Sequence, residues 1–177
     1  MKLIKRLVFI ILLVAPHLNG CDFVYRLLDK EGAQEKELVG EISPFEKNPV
    51  IEEVQTLLQA YGYNPGTIDG VLGLHTRNMI EKFQIDNDLK PSRFIDKKTW
   101  EKLIIFKDIG FIVDGQLNIK FLQELLNAAG FPVGELDGKF GPRTKKSVEE
   151  FQKAHQLKAD GKVGYKTMEA LAAYIVQ

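Results

Sequence analysis

The stretch Asp69–Gln84, DGVLGLHTRNMIEKFQ, returns 68 residues later as Asp137–Gln152, DGKFGPRTKKSVEEFQ. Extended without a gap, Val54–Leu103 against Leu122–Leu171 gives 19 identities in 50 positions. Gln55/Gln123, Gly62/Gly130, Gly66/Gly134, Asp69/Asp137, Gly70/Gly138, Thr76/Thr144, Phe83/Phe151, Gln84/Gln152 and Thr99/Thr167 are among them. Two copies of one small module follow from such a period, and each copy must bury its own apolar face or share one with its neighbour.

Within each copy the apolar period is helical. Val50, Ile51, Val54, Leu57, Leu58 and Tyr61 fall on one helix face, as do Ile119, Leu122, Leu125, Leu126 and Ala129. Asn118 suits an N-cap, and Gly62 and Gly130 stand where a helix exits through a left-handed residue. Asp-Gly turns at 69–70 and 137–138 lead to a second helix near Gly73 or Gly141, where Pro142 suits the first turn. Met79, Ile80 and Phe83, matched by Ser147, Val148 and Phe151, form its core face. A short third helix after Asp96 or Gly164 buries Trp100 and Leu103, or Met168 and Leu171. The expected fold is all-α, two tandem three-helix bundles over 49–106 and 116–177. The apolar connector 107–115 should pack them together.

Ahead of the repeats, Lys2, Lys5 and Arg6 precede an apolar run, Leu7 to Ala15, too short to span a bilayer as a helix but suited to an export signal. Without residues 1–20 the chain keeps 21 of its 24 bases against 24 acids, too mixed a balance for a nucleic-acid surface. Residues 22–48 carry seven acids and four bases without a sustained apolar period. This reads as a flexible tether with a helical turn at Val24–Leu28. Its 27 residues reach roughly 90 Å when fully extended.

Two resemblances follow from these residues. Leu18-Asn19-Gly20 before Cys21, the only cysteine, resembles the lipobox of bacterial lipoproteins. That implies cleavage after residue 20, lipidation of Cys21 and attachment to a membrane. Leu122, Gln123, Leu126, Gly130, Asp137, Gly138, Gly141, Thr144, Phe151, Gln152, Leu157, Asp160, Gly161, Thr167 and Leu171 resemble the type-1 peptidoglycan-binding domain. The first copy departs from it at Ser92-Arg93 and at Leu74-His75. The resemblance implies a non-catalytic three-helix module that binds the cell wall, with peptidoglycan stem peptide or glycan as partner.

Scaffold roles account for most of the shared residues. The aspartates suit hydrogen bonds within their own turns, and Gln84 and Gln152 suit buried contacts to loop backbone. Ligand candidates lie where the loop meets the second helix, whose free N–H groups favour a carboxylate. They are Arg143, Thr144 and Asp137 in the second copy and His75, Thr76 and Arg77 in the first. Tyr63 and Phe131 are candidate aromatic faces for a sugar ring. Arg143 can grip a carboxylate as a fork, which His75 cannot copy.

No catalytic, metal-binding or cofactor-binding set is expected. His75 and His155 lie in different copies without the spacing of a zinc site, and Glu149-Glu150 diverge around their helix. The sequence therefore predicts an envelope lipoprotein that links a membrane to the wall. The alternative is an envelope adaptor whose paired bundles dock a protein, such as a wall hydrolase or a secretion component.

Overall fold

Side-chain capping sets where three of the helices begin. Asn48 Oδ1 accepts from the N–H groups of Val50 (2.9 Å) and Ile51 (3.3 Å), with Pro49 in the first turn. Asn118 accepts from Phe121 N–H and Asp96 from Thr99 N–H. The computed structural model describes residues 30–40 and 46–175. The signal segment, Cys21 and the turn expected at Val24–Leu28 lie outside the described residues. In chain order the elements are α1 (Lys30–Val39), α2 (Pro49–Ala60), α3 (Leu74–Asp86), α4 (Lys97–Asp108), β1 (Ile112–Val113), β2 (Gln116–Leu117), α5 (Ile119–Ala128), α6 (Pro142–Ala154) and α7 (Tyr165–Ala172). Helices α2, α3 and α4 form repeat one, and α5, α6 and α7 form repeat two. The fold is all-α, as the sequence predicts, with seven helices and one minimal hairpin among the described residues.

Each core follows the apolar stripes. Ile51, Val54, Leu58, Ile80, Phe83 and Leu103 are fully buried in repeat one, and Leu122, Leu126, Val148, Phe151, Met168 and Leu171 in repeat two. Trp100 is only half-buried at the edge of its core. The stripes alone do not fix the long loops between helices. One device, used four times, does so: a buried glutamine from the preceding helix binds loop backbone and the first turn of the next helix. Gln55 accepts from the N–H groups of Asp69 (3.0 Å) and Gly70 (2.9 Å) and donates to Asp69 Oδ1, Val71 O and Thr76 Oγ1. Gln123 repeats this with Gly138, Asp137, Lys139 and Thr144. Gln84 does the same with Arg93, Phe94 and Thr99, and Gln152 with Gly161, Lys162 and Thr167. Gly70 is required at its loop for two reasons. It has φ +72°, and a Cβ there would stand 3.0 Å from Asn48 O.

The two bundles pack through one aromatic cluster. Tyr165, at the start of α7, enters a cleft of repeat one, with ring centroids 5.2 Å from Tyr61, 5.2 Å from Phe83 and 4.9 Å from Phe106. The Tyr61 hydroxyl donates to Leu103 O. Burial pushes the Tyr165 phenol up to about 12, with Glu169 adding to the shift. The connector contributes as expected, since Phe111 and Ile112 are buried and Phe111 bridges Phe106 (6.0 Å) to Phe121 (5.3 Å). Repeat two fills its own equivalent cleft. At the places of Asn87 and Phe106 it carries His155 and Tyr174, with His155 stacked 4.0 Å from Phe151 and 3.1 Å from the Tyr174 hydroxyl.

Within the connector, α4 runs on to Asp108, and Ile112–Val113 pairs antiparallel with Gln116–Leu117. The Asp114-Gly115 turn, with φ +50° and +72°, has the primed geometry that tight hairpins favour. One expectation needs correction: the flexible tether expected over residues 22–48 is interrupted, because residues 30–39 form α1 and dock on repeat one. Val39 and Glu35 are buried, Leu38 packs against the core, and Asn48 Nδ2 donates to Val39 O. The physical reason is that one carboxylate and two apolar side chains at helical spacing suffice to seat a short helix on a preformed surface.

Replacing Tyr165 by Ala should cost about 3 kcal/mol, as aromatic truncation in a core does. Because the same ring joins the bundles, thermal unfolding followed by calorimetry should split from one transition into two.

Candidate functional site

Helices α3 and α6 start differently from those that Asn or Asp caps. Their N-cap residues are Gly73 and Gly141, in extended backbone, and no side chain caps either. The exposed first turn therefore keeps its partial positive charge without an internal acceptor. In each repeat the second residue of that helix folds back over the preceding loop glycine. A Cβ on Gly66 would lie 3.1 Å from His75 Cδ2, and one on Gly134 would lie 3.2 Å from Arg143 Nη1. Both glycines have positive φ, +86° and +85°, so the turn needs glycine for its backbone and for the side chain above it.

The two sites diverge from there. His75 Nε2 lies 2.8 Å from Asn64 O, to which it donates, so the ring is tied to its own loop. In repeat two Pro132 replaces Asn64 and its carbonyl accepts from Ser147 Oγ at 2.8 Å. Arg143 is exposed, and its guanidinium makes no hydrogen bond or ion pair among the described residues. Beside it the loop exposes Leu136 (39%) and Phe140 (41%), whose counterparts Ile68 and Leu72 are half-buried. Repeat two thus offers an unpaired cation, an uncapped helix start and apolar surface in one loop.

The other candidates are placed as follows. Thr76 and Thr144 are buried with their hydroxyls in the glutamine clasps, so their side chains serve the loop. Asp137 Oδ1 accepts from Gln123 Nε2 and Lys139 N–H, both at 2.9 Å. Arg77 turns away from the start of α3 and binds Glu35 of α1. Tyr63 and Phe131 pack edge-on against Phe83 (5.7 Å) and Phe151 (5.5 Å), and the Tyr63 hydroxyl donates to Asp86. Burial, then the Asp86 charge, raises the Tyr63 phenol well above its ordinary range. The residues that the sequence reading missed are Leu136 and Phe140. The available signal was an aromatic in a loop with no helical period to bury it.

Repeat one also keeps the clasp geometry where its sequence departs. Ser92 Oγ lies 3.3 Å from Phe94 N–H, the role Asp160 Oδ1 plays for Lys162 N–H, and Arg93 holds φ +67° where Gly161 has +69°. A cleft of about 310 Å³ between α2 and the hairpin, lined by Glu52, Glu53, Thr56, Lys107 and Asp114, contains none of the candidates. The Glu53–Lys107 ion pair joins two residues of its lining. Among the described residues no cluster of His, Cys, Asp or Glu is arranged to hold a metal ion, and no helix is long and apolar enough to cross a membrane.

With this geometry in view, the chain matches the family described as "Putative peptidoglycan binding domain" twice, over residues 47–103 and 115–171. The two matches span more than half of the chain, which belongs to that family as a tandem pair of its domains. No solved structure matches it. Family membership gives the protein cell-wall binding as its function and peptidoglycan as its partner.

The clasp carboxylates also set an acid limit. Asp69 and Asp137 are held below the ordinary value of 3.8, chiefly by the Gln55 and Gln123 amides and then by loop N–H groups. Asp160 is lowered chiefly by Lys162 N–H. The unfolded chain therefore binds these protons at higher pH than the folded one. Their stabilisation is complete above about pH 4 and drains as pH falls through the lowered folded values. Urea midpoints measured down to about pH 2 should fall less steeply when all three are changed to Asn, which keeps the acceptor but does not titrate.

Proposed function

We propose that this protein is a non-catalytic wall-binding lipoprotein whose peptidoglycan ligand is held by repeat two. The observation that carries this reading is the unpaired Arg143 guanidinium lying over Gly134 at the uncapped start of α6. A stem-peptide carboxylate placed there would meet a forked cation and the first-turn N–H groups together. Phe140 and Leu136 would cover the apolar part of the ligand. Thr144 and Asp137 would act by holding the loop, and Phe131 by packing beneath it. In repeat one His75 and Thr76 hold the loop in the same way, and Tyr63 packs beneath it.

Membrane attachment through Cys21 rests on the lipobox resemblance. The domain limits 1–20 for the signal, 49–106 and 116–177 for the repeats are part of the same proposal, with the tether shortened by α1. No catalytic role is assigned, and the location is the cell envelope, facing the periplasm or wall space. A second reading has repeat one docking an envelope protein. It is supported by the exposure of Leu74 (72%) and Ile85 (58%) on α3, together with the internal engagement of His75 and Arg77. Against it, Asn78, Glu81 and Lys82 lie between those two apolar side chains on the same helix.

Co-sedimentation with purified insoluble sacculi tests the proposal. The wild-type chain should pellet, and Arg143→Ala should weaken binding roughly tenfold or more, the loss expected for one charge-assisted hydrogen-bonded pair. Equal pelleting of the two would move the site, and no pelleting of wild type would leave the wall reading unsupported.

A further inference from the structure

The Arg77 contact is built like a recognition site. Nη1 and Nη2 donate to Glu35 Oε1 and Oε2 at 2.8 and 2.9 Å, and Ile95 N–H donates to Oε1 at 2.8 Å. Arg93 O accepts from Nη1 at 2.9 Å, fixing the fork, and the guanidinium lies 5.1 Å from the Phe94 ring centroid. Glu35 is 3% exposed. Of the groups shaping this crevice, only Glu35 comes from α1. Arg77, Arg93, Phe94 and Ile95 all belong to repeat one.

Repeat two shows that the fold does not need a carboxylate there. Its counterpart of Arg77 is Lys145, which turns to Glu149 of its own helix at 3.8 Å. Gly161, at the place of Arg93, admits both side chains, since a Cβ there would lie 2.8 Å from each. The α6–loop junction is nonetheless formed with the same clasp. The Glu35 contact is therefore an addition to repeat one rather than part of the module. Apart from Glu35, its partner helix is held by few contacts: α1 has ten residues, buries Val39 fully and Leu38 in part, and Gln34 Oε1 accepts from Lys97 N–H at 3.3 Å. A helix of that length is marginal by itself, and elements with few buried apolar contacts open first. A buried ion pair adds little net stability once desolvation is counted.

We propose that the crevice of Arg77, Phe94 and the Ile95 N–H is a carboxylate-binding site that Glu35 fills in cis, so that α1 and a peptide carboxylate of the cell wall exclude one another. The inference rests on the wall-binding reading for the source of the ligand. Repeat one is then a second wall site held closed, and a wall carboxylate that enters it releases α1.

The test titrates the full-length chain, with amide resonances assigned, with acetyl-L-lysyl-D-alanyl-D-alanine and with its C-terminal amide. In Glu35→Gln the free acid should shift Ile95 and Lys97 about tenfold more tightly than in wild type, the factor by which a mostly closed site lowers apparent affinity. The amide should leave those resonances unmoved, and Arg77→Gln should abolish the shift in either background. In wild type, saturating acid should speed hydrogen exchange across residues 30–39, a readout that does not depend on any variant folding. Shifts confined to the 134–143 loop would overturn this proposal and leave the wall reading standing. No shift anywhere in wild type or Glu35→Gln would overturn both. Equal affinity in wild type and Glu35→Gln would show that Glu35 does not occupy the site.

Discussion

The structure depends on the buried glutamine that the first and second helices of each repeat offer to the loop that follows. A loop running between two packed helices carries backbone N–H and C=O groups that cannot reach water, and each one left unpaired costs about 1–3 kcal/mol. One amide side chain satisfies a donor and an acceptor at once, and its Nε2 also reaches the threonine that opens the next helix. This lets loops of a dozen residues hold a fixed shape without secondary structure of their own. It also explains why Asp69, Asp137 and Asp160 each turn one carboxylate oxygen to an N–H of their own loop. The Arg143 loop is held by the Gln123 clasp.

Duplication gave two equivalent frameworks, and the differences between them carry the functional interest. Repeat one keeps an aromatic cleft of Tyr61, Phe83 and Phe106 and receives Tyr165 from its neighbour. Repeat two has Ala129 in place of Tyr61 and fills the equivalent space with His155 and Tyr174. The ligand loops diverge in the same direction. His75 and Arg77 are engaged within the chain, whereas Arg143 has no hydrogen-bond or ion-pair partner among the described residues. The proposed result is one open site and one closed site on a single body. A polymer with repeating carboxylates can engage the second only after the first has raised its local concentration.

Much of this was legible in the residues. The 68-residue period, the apolar stripes and the Asn and Pro caps define three helices per copy, because each signal is local and repeated. Arg143 was visible as a cation at a helix start. Three features were not legible. The docking of residues 30–39 depends on one long-range carboxylate, Glu35, which meets partners 42 and 60 positions away and leaves no periodic trace. The Asp114-Gly115 hairpin carried a recognisable turn signal but has strands of only two residues, too short for alternation to register. Thr76 and Thr144 looked like ligand groups because they sit at a helix start. Only three-dimensional contact with Gln55 and Gln123 shows them turned inward.

In the proposed arrangement the chain presents one open wall-binding site, in repeat two, while repeat one is internally occupied. Isothermal titration of the full-length protein with a soluble disaccharide–stem-peptide fragment of the wall measures this directly through the stoichiometry. One equivalent should bind per chain in the tight phase. Two equivalent sites of equal affinity, or no binding at all, would contradict it.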